Sequence, residues 1–218
     1  METAKPSIVY RYQKGLYVNL TNRCPTACVF CVKNAWKMDY RGSDLNLRGG
    51  EPAPADVIAL AREQWAAQPF EELVFCGYGE PTMRLEALLA CARMVRNGRA
   101  EPIPRDIRIR VNTNGLANAV WGRNVVPEMK GLIDSVHVSL NTADPLQWAA
   151  IMRPMDPWKA AGFEKVKEFI REASLLLPEA YATAVEQEGV DLQKFRELAA
   201  SLGAEPRVRP RLDGEAGE

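Results

Sequence analysis

The chain reads as α/β: a partial (β/α)6 barrel of parallel strands, open on one side. Short β-rich runs alternate with longer helical patterns six times, an order that right-handed crossovers turn into a parallel sheet. Several of those runs also alternate strictly between apolar and polar residues, whereas a strand covered by helices on both faces reads as an almost continuous apolar run. One apolar face against helices and one polar face toward a wet interior is the pattern of a curled sheet, and six strands leave the curl open. With 218 residues, 47% of them hydrophobic and 26% charged, the composition suits one sizeable core, so residues 1–218 are expected to form a single domain.

In chain order the predicted strands lie near 15–21, 72–77, 106–112, 134–141, 179–186 and 205–210. In the first, Leu16, Val18 and Leu20 oppose Tyr17, Asn19 and Thr21. In the third, Ile107, Ile109 and Val111 oppose Arg108, Arg110 and Asn112. In the fourth, Val136, Val138 and Leu140 oppose Ser135, His137, Ser139 and Asn141. Helical spacing joins Val57, Ile58, Ala61 and Trp65, then Leu85, Leu88, Leu89, Ala92 and Val95, then Phe163, Val166, Phe169, Ile170 and Ala173, and last Leu192, Phe195, Leu198 and Ala199. Lys37 to Pro54 is a Gly- and Pro-rich loop, and 212–218 is a loose, acidic tail. In βα folds of this kind the chemistry sits in the loops after the strands.

Charge excludes some partners. Lys plus Arg and Asp plus Glu both number 28, so no global basic field exists to hold a nucleic-acid backbone or an anionic membrane. Apolar stretches fall far short of the ~20 residues that cross a bilayer, and the N-terminal sequence has no apolar signal core, so a cytoplasmic protein without a membrane partner is expected. Five cysteines is an odd count, and three of them crowd into Cys24-Pro25-Thr26-Ala27-Cys28-Val29-Phe30-Cys31, directly after the first strand. That suits a metal in a reducing compartment better than a disulfide framework. A structural zinc site closes four positions, so three thiolates with no fourth point instead to a cluster with one open iron. The residues alone also allow a zinc site completed by His137, or free cysteines. Cys76 and Cys91 read as small buried hydrophobes, His137 as polar filler on its strand, and Trp36 as a candidate lid.

Cys24-x3-Cys28-x2-Cys31 resembles, residue for residue, the motif of the radical S-adenosylmethionine (SAM) superfamily. The resemblance runs over roughly residues 15 to 210. It implies a 4Fe-4S cluster on Cys24, Cys28 and Cys31, with S-adenosylmethionine on the open iron. It also implies Phe30 near the adenine, and Gly77-Tyr78-Gly79-Glu80-Pro81 as the family's Gly-Gly-Glu-Pro element, in which Gly77, Gly79, Glu80 and Pro81 meet the methionine moiety. Asn112-Thr113-Asn114-Gly115 is similar to the Asp-Thr-Asn-Gly turn of the small activating enzymes, with Asn112 toward the cofactor, and Ser139 and Asn141 lie where polar residues meet the ribose. Tyr17 to Cys24 and Phe75 to Pro81 look closest to the radical SAM proteins associated with TatD-type nucleases. Tyr78 departs from the pattern where a glycine is usual, Asn112 stands for an acid, and the glycine-rich element of the fifth strand is not recognisable in 182–188.

The implied activity is reductive cleavage of S-adenosylmethionine to a 5'-deoxyadenosyl radical acting on an unidentified substrate, with electrons from a low-potential donor such as a flavodoxin or ferredoxin. An activating enzyme for a partner protein, or a non-catalytic iron–sulfur or zinc protein, stay as alternatives. Strand parity puts Arg108 and Arg110 on the face of Asn112, and Arg207 and Arg209 on one face of the sixth strand. Guanidinium groups buried without anions are costly, so an anionic substrate gripped by Arg110 and Arg209 is expected, with Arg108 and Arg207 deeper in structural ion pairs.

Overall fold

A computed structural model describes residues 6–35, 38–48 and 50–211; Trp36 and the tail at 212–218 lie outside the described residues. All six predicted strands are present within a few residues of their expected bounds. The described residues fall into two compact units, one running to Arg23 and again from Lys33 to Val111, the other taking Cys24–Val32 and the chain from Asn112 onward.

The first unit opens with β1 (Val9–Tyr12) and β2 (Gly15–Val18), which pair antiparallel. β1 is missing from the sequence reading: four residues with both faces half-covered leave no periodic signature. It caps an edge of an otherwise parallel ladder. A single helical turn, α1 (Val32–Ala35), and a two-stranded ribbon of β3 (Asp39–Tyr40) and β4 (Ser43–Asp44) come next. Then follow α2 (Pro54–Ala67), β5 (Glu72–Phe75), a 3-10 turn Pro81–Arg84, α3 (Leu85–Arg96) and β6 (Arg108–Thr113). β2, β5 and β6 pair in parallel, with Leu16 opposite Leu73 and Leu73 opposite Ile109. That register stacks apolar residues on one face: Leu16, Val18, Leu73, Phe75, Ile109 and Val111 are fully buried, as are Val57, Ala61, Leu85, Leu88, Ala92 and Val95 of α2 and α3. Each such side chain contributes about 1.5–3 kcal/mol. Pro54 opens α2, where its missing N–H would have had no intrahelical acceptor.

The second unit holds α4 (Ala117–Trp121), α5 (Val126–Met129), β7 (Ser135–Ser139), α6 (Pro145–Met152), α7 (Gly162–Leu176), β8 (Glu179–Val185), α8 (Leu192–Ser201) and β9 (Glu205–Arg209). β7, β8 and β9 run parallel in that order. Val136, Val138, Ala182 and Ala184 on one face, and Val166, Phe169, Ile170 and Ala173 of α7, are fully buried. Asp144 caps α6 by accepting the Gln147 N–H at 2.7 Å, and Asp191 caps α8 by accepting from Gln193 and Lys194. Gly115 sits at φ +81° with Val138 and Val166 so close that a Cβ would lie 2.7 Å from Val138 Cγ1, so no other residue fits this turn. The architecture is α/β with mostly parallel strands.

Candidate functional site

The cysteine loop is docked by backbone. Ala27 N–H donates to Arg153 O at 3.0 Å, Val29 N–H to Ile151 O at 2.9 Å, and Met155 N–H to Pro25 O at 2.9 Å, while Thr26 and Pro154 form an isolated β-bridge. A left-handed Arg153, at φ +45° after the last turn of α6, turns the chain through this dock. Sequence reasoning missed this strip from Ile151 to Met155, because a docking surface made of main-chain groups leaves no residue-type signature. Within the loop, Cys31 N–H donates to Cys28 O at 3.1 Å and tightens the x2 turn.

All three thiols are half-buried and unpaired by disulfides. Burial pushes the Cys28 thiol up to about 12; the Thr26 hydrogen bond opposes this, and the neighbouring Cys24 and Cys31 add to it. A bound cation reverses that preference and holds the thiolate. Cys28 Sγ lies 3.4 Å and Cys24 Sγ 3.3 Å from Thr26 Oγ1, Asn114 Nδ2 is 3.8 Å from Cys24 Sγ, and Met152 Sδ is 3.7 Å from Cys28 Sγ. Among the described residues no three His, Cys, Asp or Glu side chains converge as ligands of one ion do; cysteines that each bind a different iron of a cluster need not converge. Phe30 is half-buried beside them.

Gly77 and Gly79 are required by close backbone approach. A Cβ on Gly77 would lie 2.2 Å from Asn19 Oδ1, and one on Gly79 would lie 2.2 Å from Thr21 O and 2.7 Å from Arg23 O. Glu80 N–H donates to Arg23 O at 2.9 Å, so this segment is clamped along the residues that lead into Cys24. Glu80 is buried and accepts from Thr82 N and Thr82 Oγ1, capping the 3-10 turn that begins at Pro81. Tyr78 stands where a glycine was expected; its hydroxyl donates to Asp39 O at 2.8 Å and its N–H to Asn19 Oδ1, tying the motif to β3 and to the end of β2. Glu51 completes the clamp by accepting from Thr21 and Arg23 and pairing with Arg84 at 3.2 Å. Burial works against its charge, but these partners prevail and hold its carboxyl below the usual range.

In the second unit Asn112 and Ser139 are half-buried at strand ends. Asn141 is different. It is fully buried at φ +65°, its Oδ1 accepts the Val185 N–H at 3.0 Å, and its Nδ2 meets Met152 Sδ at 3.0 Å. Its carboxamide is thus engaged in joining the end of β7 to β8 and α6. His137 is buried with its ring centroid 4.7 Å from that of Tyr181, and the Arg207 guanidinium lies over the Tyr181 ring at 4.2 Å. Cys91 is fully buried, which pushes its thiol up to about 12, while Cys76 is half-buried.

The arginine expectation needs correcting. Arg110 is buried and already paired: Nη2 is 2.6 Å and Nε 3.0 Å from the Glu72 carboxylate, and Nη2 donates to the Tyr17 hydroxyl at 2.9 Å. Burial opposes the Arg110 charge, but Glu72 and Tyr17 outweigh it and keep the guanidinium ionised. Burial also pushes Tyr17 up to about 12 although Arg110 pulls the other way. Arg108, at 3.8 Å from Glu72, is the more exposed of the pair, so the predicted depths of Arg108 and Arg110 are reversed. Arg207, expected to lie deep, is exposed, as is Arg209. Arg110 therefore demands no external anion.

The family model described as the radical SAM superfamily matches residues 18–202. A GTP 3',8-cyclase of Corynebacterium glutamicum is 26% identical over 168 residues, covering 72% of this chain and 41% of that protein. A probable dual-specificity RNA methyltransferase RlmN of Deinococcus deserti is 25% identical, covering 89% of this chain and 69% of that protein. The chain thus spans about two-fifths of the first relative's length. Among solved structures, the radical S-adenosylmethionine methyltransferase TsrM of Kitasatospora setae, with cobalamin and a [4Fe-4S] cluster bound, superposes with a TM-score of 0.51 at 15% identity, over 86% of this chain and 35% of that one. The same protein with tryptophan substrate and a SAM analogue gives 0.50. This likeness supports the fold, a mostly parallel α/β sheet compatible with a partial (β/α) barrel. Taken with the cysteine loop after β2 and the matched span, it leads to one conclusion: the chain belongs to the radical SAM superfamily, an enzyme family that works with a 4Fe-4S cluster and S-adenosylmethionine.

Proposed function

We propose that Cys24, Cys28 and Cys31 hold a 4Fe-4S cluster, and that the chain is a radical SAM enzyme acting on a substrate still to be identified. One observation carries this: three half-buried thiols on one short loop, pinned by main-chain hydrogen bonds to the strip 151–155, with hydroxyl and amide groups turned toward their sulfurs. The donor set fits the group, since thiolates are the ligands such clusters take and three of them leave one iron for a chelating cofactor. When bound, the cluster supplies the electron, from a low-potential donor of the flavodoxin or ferredoxin class, that cleaves the S-adenosylmethionine carbon–sulfur bond.

The protein's share is to bind, orient and exclude water. Gly77, Gly79, Glu80 and Pro81 are assigned to the methionine moiety, Phe30 to the adenine, and Asn112 and Ser139 to the remaining polar contacts. Asn141, given its internal bonds, acts through position. For an anionic substrate, Arg209 and its neighbour Arg207 are the groups in question, and Arg110 no longer is. Placement in the TatD-associated group rests on Tyr17 to Cys24 and Phe75 to Pro81 alone.

Anaerobic reconstitution tests the reading. Iron and sulfide near four each per chain, with cluster absorption abolished in Cys28→Ala, is the expected result. Bound zinc without cluster absorption, or a cluster that survives Cys28→Ala, overturns it.

A further inference from the structure

The sulfurs of the cysteine loop are not bare. Thr26, almost fully buried, places its one hydroxyl between two of them, 3.3 Å from Cys24 Sγ and 3.4 Å from Cys28 Sγ. Asn114, also buried, aims Nδ2 at Cys24 Sγ from 3.8 Å. The orientation of that carboxamide is set independently, because its Oδ1 accepts the Leu116 N–H at 2.9 Å and leaves only the NH2 end for the sulfur. We infer that Asn114 and Thr26 are positioning residues that donate one hydrogen bond each to the thiolates of Cys24 and Cys28 and thereby raise the reduction potential of the cluster.

The division of donors follows from counting protons. A cysteine that ligates iron has lost its thiol proton, so the Cys28 thiol that now donates to Thr26 becomes an acceptor. The Thr26 hydroxyl has one proton for two sulfurs. Asn114 already serves Cys24, which leaves the hydroxyl for Cys28. On the far side of Cys28 the neighbour is the Met152 thioether at 3.7 Å, itself held by Asn141 Nδ2 at 3.0 Å; a thioether donates nothing. Asn114 is thus assigned to Cys24 and the Thr26 hydroxyl to Cys28. Reduction adds an electron that the sulfurs share, and a donor aimed at a more negative sulfur binds it more strongly, so the reduced state is favoured. No bond breaks in this step: one electron arrives from the low-potential donor and the two protons stay on Thr26 and Asn114.

The inference rests on the cluster assignment above, and its test separates the two. Wild type, Thr26→Val, Thr26→Ser and Asn114→Ala are reconstituted anaerobically and titrated potentiometrically with detection by electron paramagnetic resonance, first in water and then in deuterium oxide. Thr26→Val, which keeps the shape and removes the proton, is expected to lower the reduced-to-oxidised ratio at fixed potential about tenfold, equal to 59 mV for a one-electron couple. Thr26→Ser restores it. In deuterium oxide the wild-type reduced cluster is expected to show coupled exchangeable deuterons, part of which vanishes in Thr26→Val and part in Asn114→Ala. An unchanged potential in a fully loaded Thr26→Val overturns the inference and leaves the cluster assignment standing. Should that variant fail to hold a cluster, Asn114→Ala decides: loss of part of the wild-type deuteron coupling supports the donors, and an unchanged spectrum overturns the inference. A wild type that assembles no cluster defeats both readings.

Discussion

At the scale of single residues, Arg110 shows how a correct parity argument can lead to a wrong partner. Its face was legible, since alternation in 106–112 puts it with Asn112, but its anion was not. Glu72 is opposite Arg108 in the ladder, one diagonal step from Arg110, and a diagonal contact depends on a register that no single strand encodes. Removing one member of such a pair strands the other. Glu72→Gln is expected to destabilise the protein by about 2 kcal/mol, below the range for fully buried pairs because Glu72 is partly exposed. The double variant Glu72→Leu with Arg110→Met should recover most of that, and urea denaturation reads both. A double variant as unstable as the single one would mean that the ion pair is not the source. The three cysteines, by contrast, stand out from spacing alone, and the structure keeps them together on one short loop; their ligand role is the proposal made above.

At the scale of elements, the second motif carries more structural weight than its resemblance implied. Gly79 faces main-chain oxygens of Thr21 and Arg23 that cannot rotate away, so Gly79→Val is expected to displace the segment leading into Cys24. It should lower both the melting temperature and cluster retention, not cofactor affinity alone; a variant with wild-type melting and a full cluster contradicts the clamp. The dock for the cysteine loop offers the opposite case. Arg153 adopts a left-handed conformation that costs a non-glycine residue on the order of 1 kcal/mol. Arg153→Gly should therefore leave thermal stability unchanged or raise it slightly, with the hydrogen bond from Ala27 intact. A clear loss of stability would show that the side chain, and not the turn, is what matters there. Neither the dock nor β1 was visible in the sequence, one because its contacts are main-chain and the other because four residues are too few to show a period.

At the scale of the whole molecule, the buried hydrophobic side chains of the two units, Leu16 and Phe75 in the first and Phe169 and Phe195 in the second among them, come mostly from strands and helices and none from the cysteine loop. Folding is therefore expected not to wait for a cluster, unlike the small metal-dependent domains that are unfolded without their metal. A variant with Cys24, Cys28 and Cys31 all replaced by Ala should keep its circular dichroism and melt within a few degrees of the cluster-free wild type; an unfolded triple variant refutes this. No helix among the described residues is long and apolar enough to cross a membrane.

The amino-acid sequence by itself determined the α/β class, the six parallel strands, the apolar face of each unit and the three thiols after β2. These follow from local rules: a period of 2 or 3.6 residues, and the spacing that a ligand set demands. Only the tertiary structure decided which polar groups are spoken for. Asn141 was a candidate ribose contact and is bound to Val185 and Met152, Arg110 was a candidate anion grip and is bound to Glu72, and Asn114 was an unremarked turn residue that reaches a cysteine sulfur. The physical reason is common to all three: a buried polar side chain must find a partner, and which partner it finds depends on residues distant in the chain that only folding brings within 3 to 4 Å.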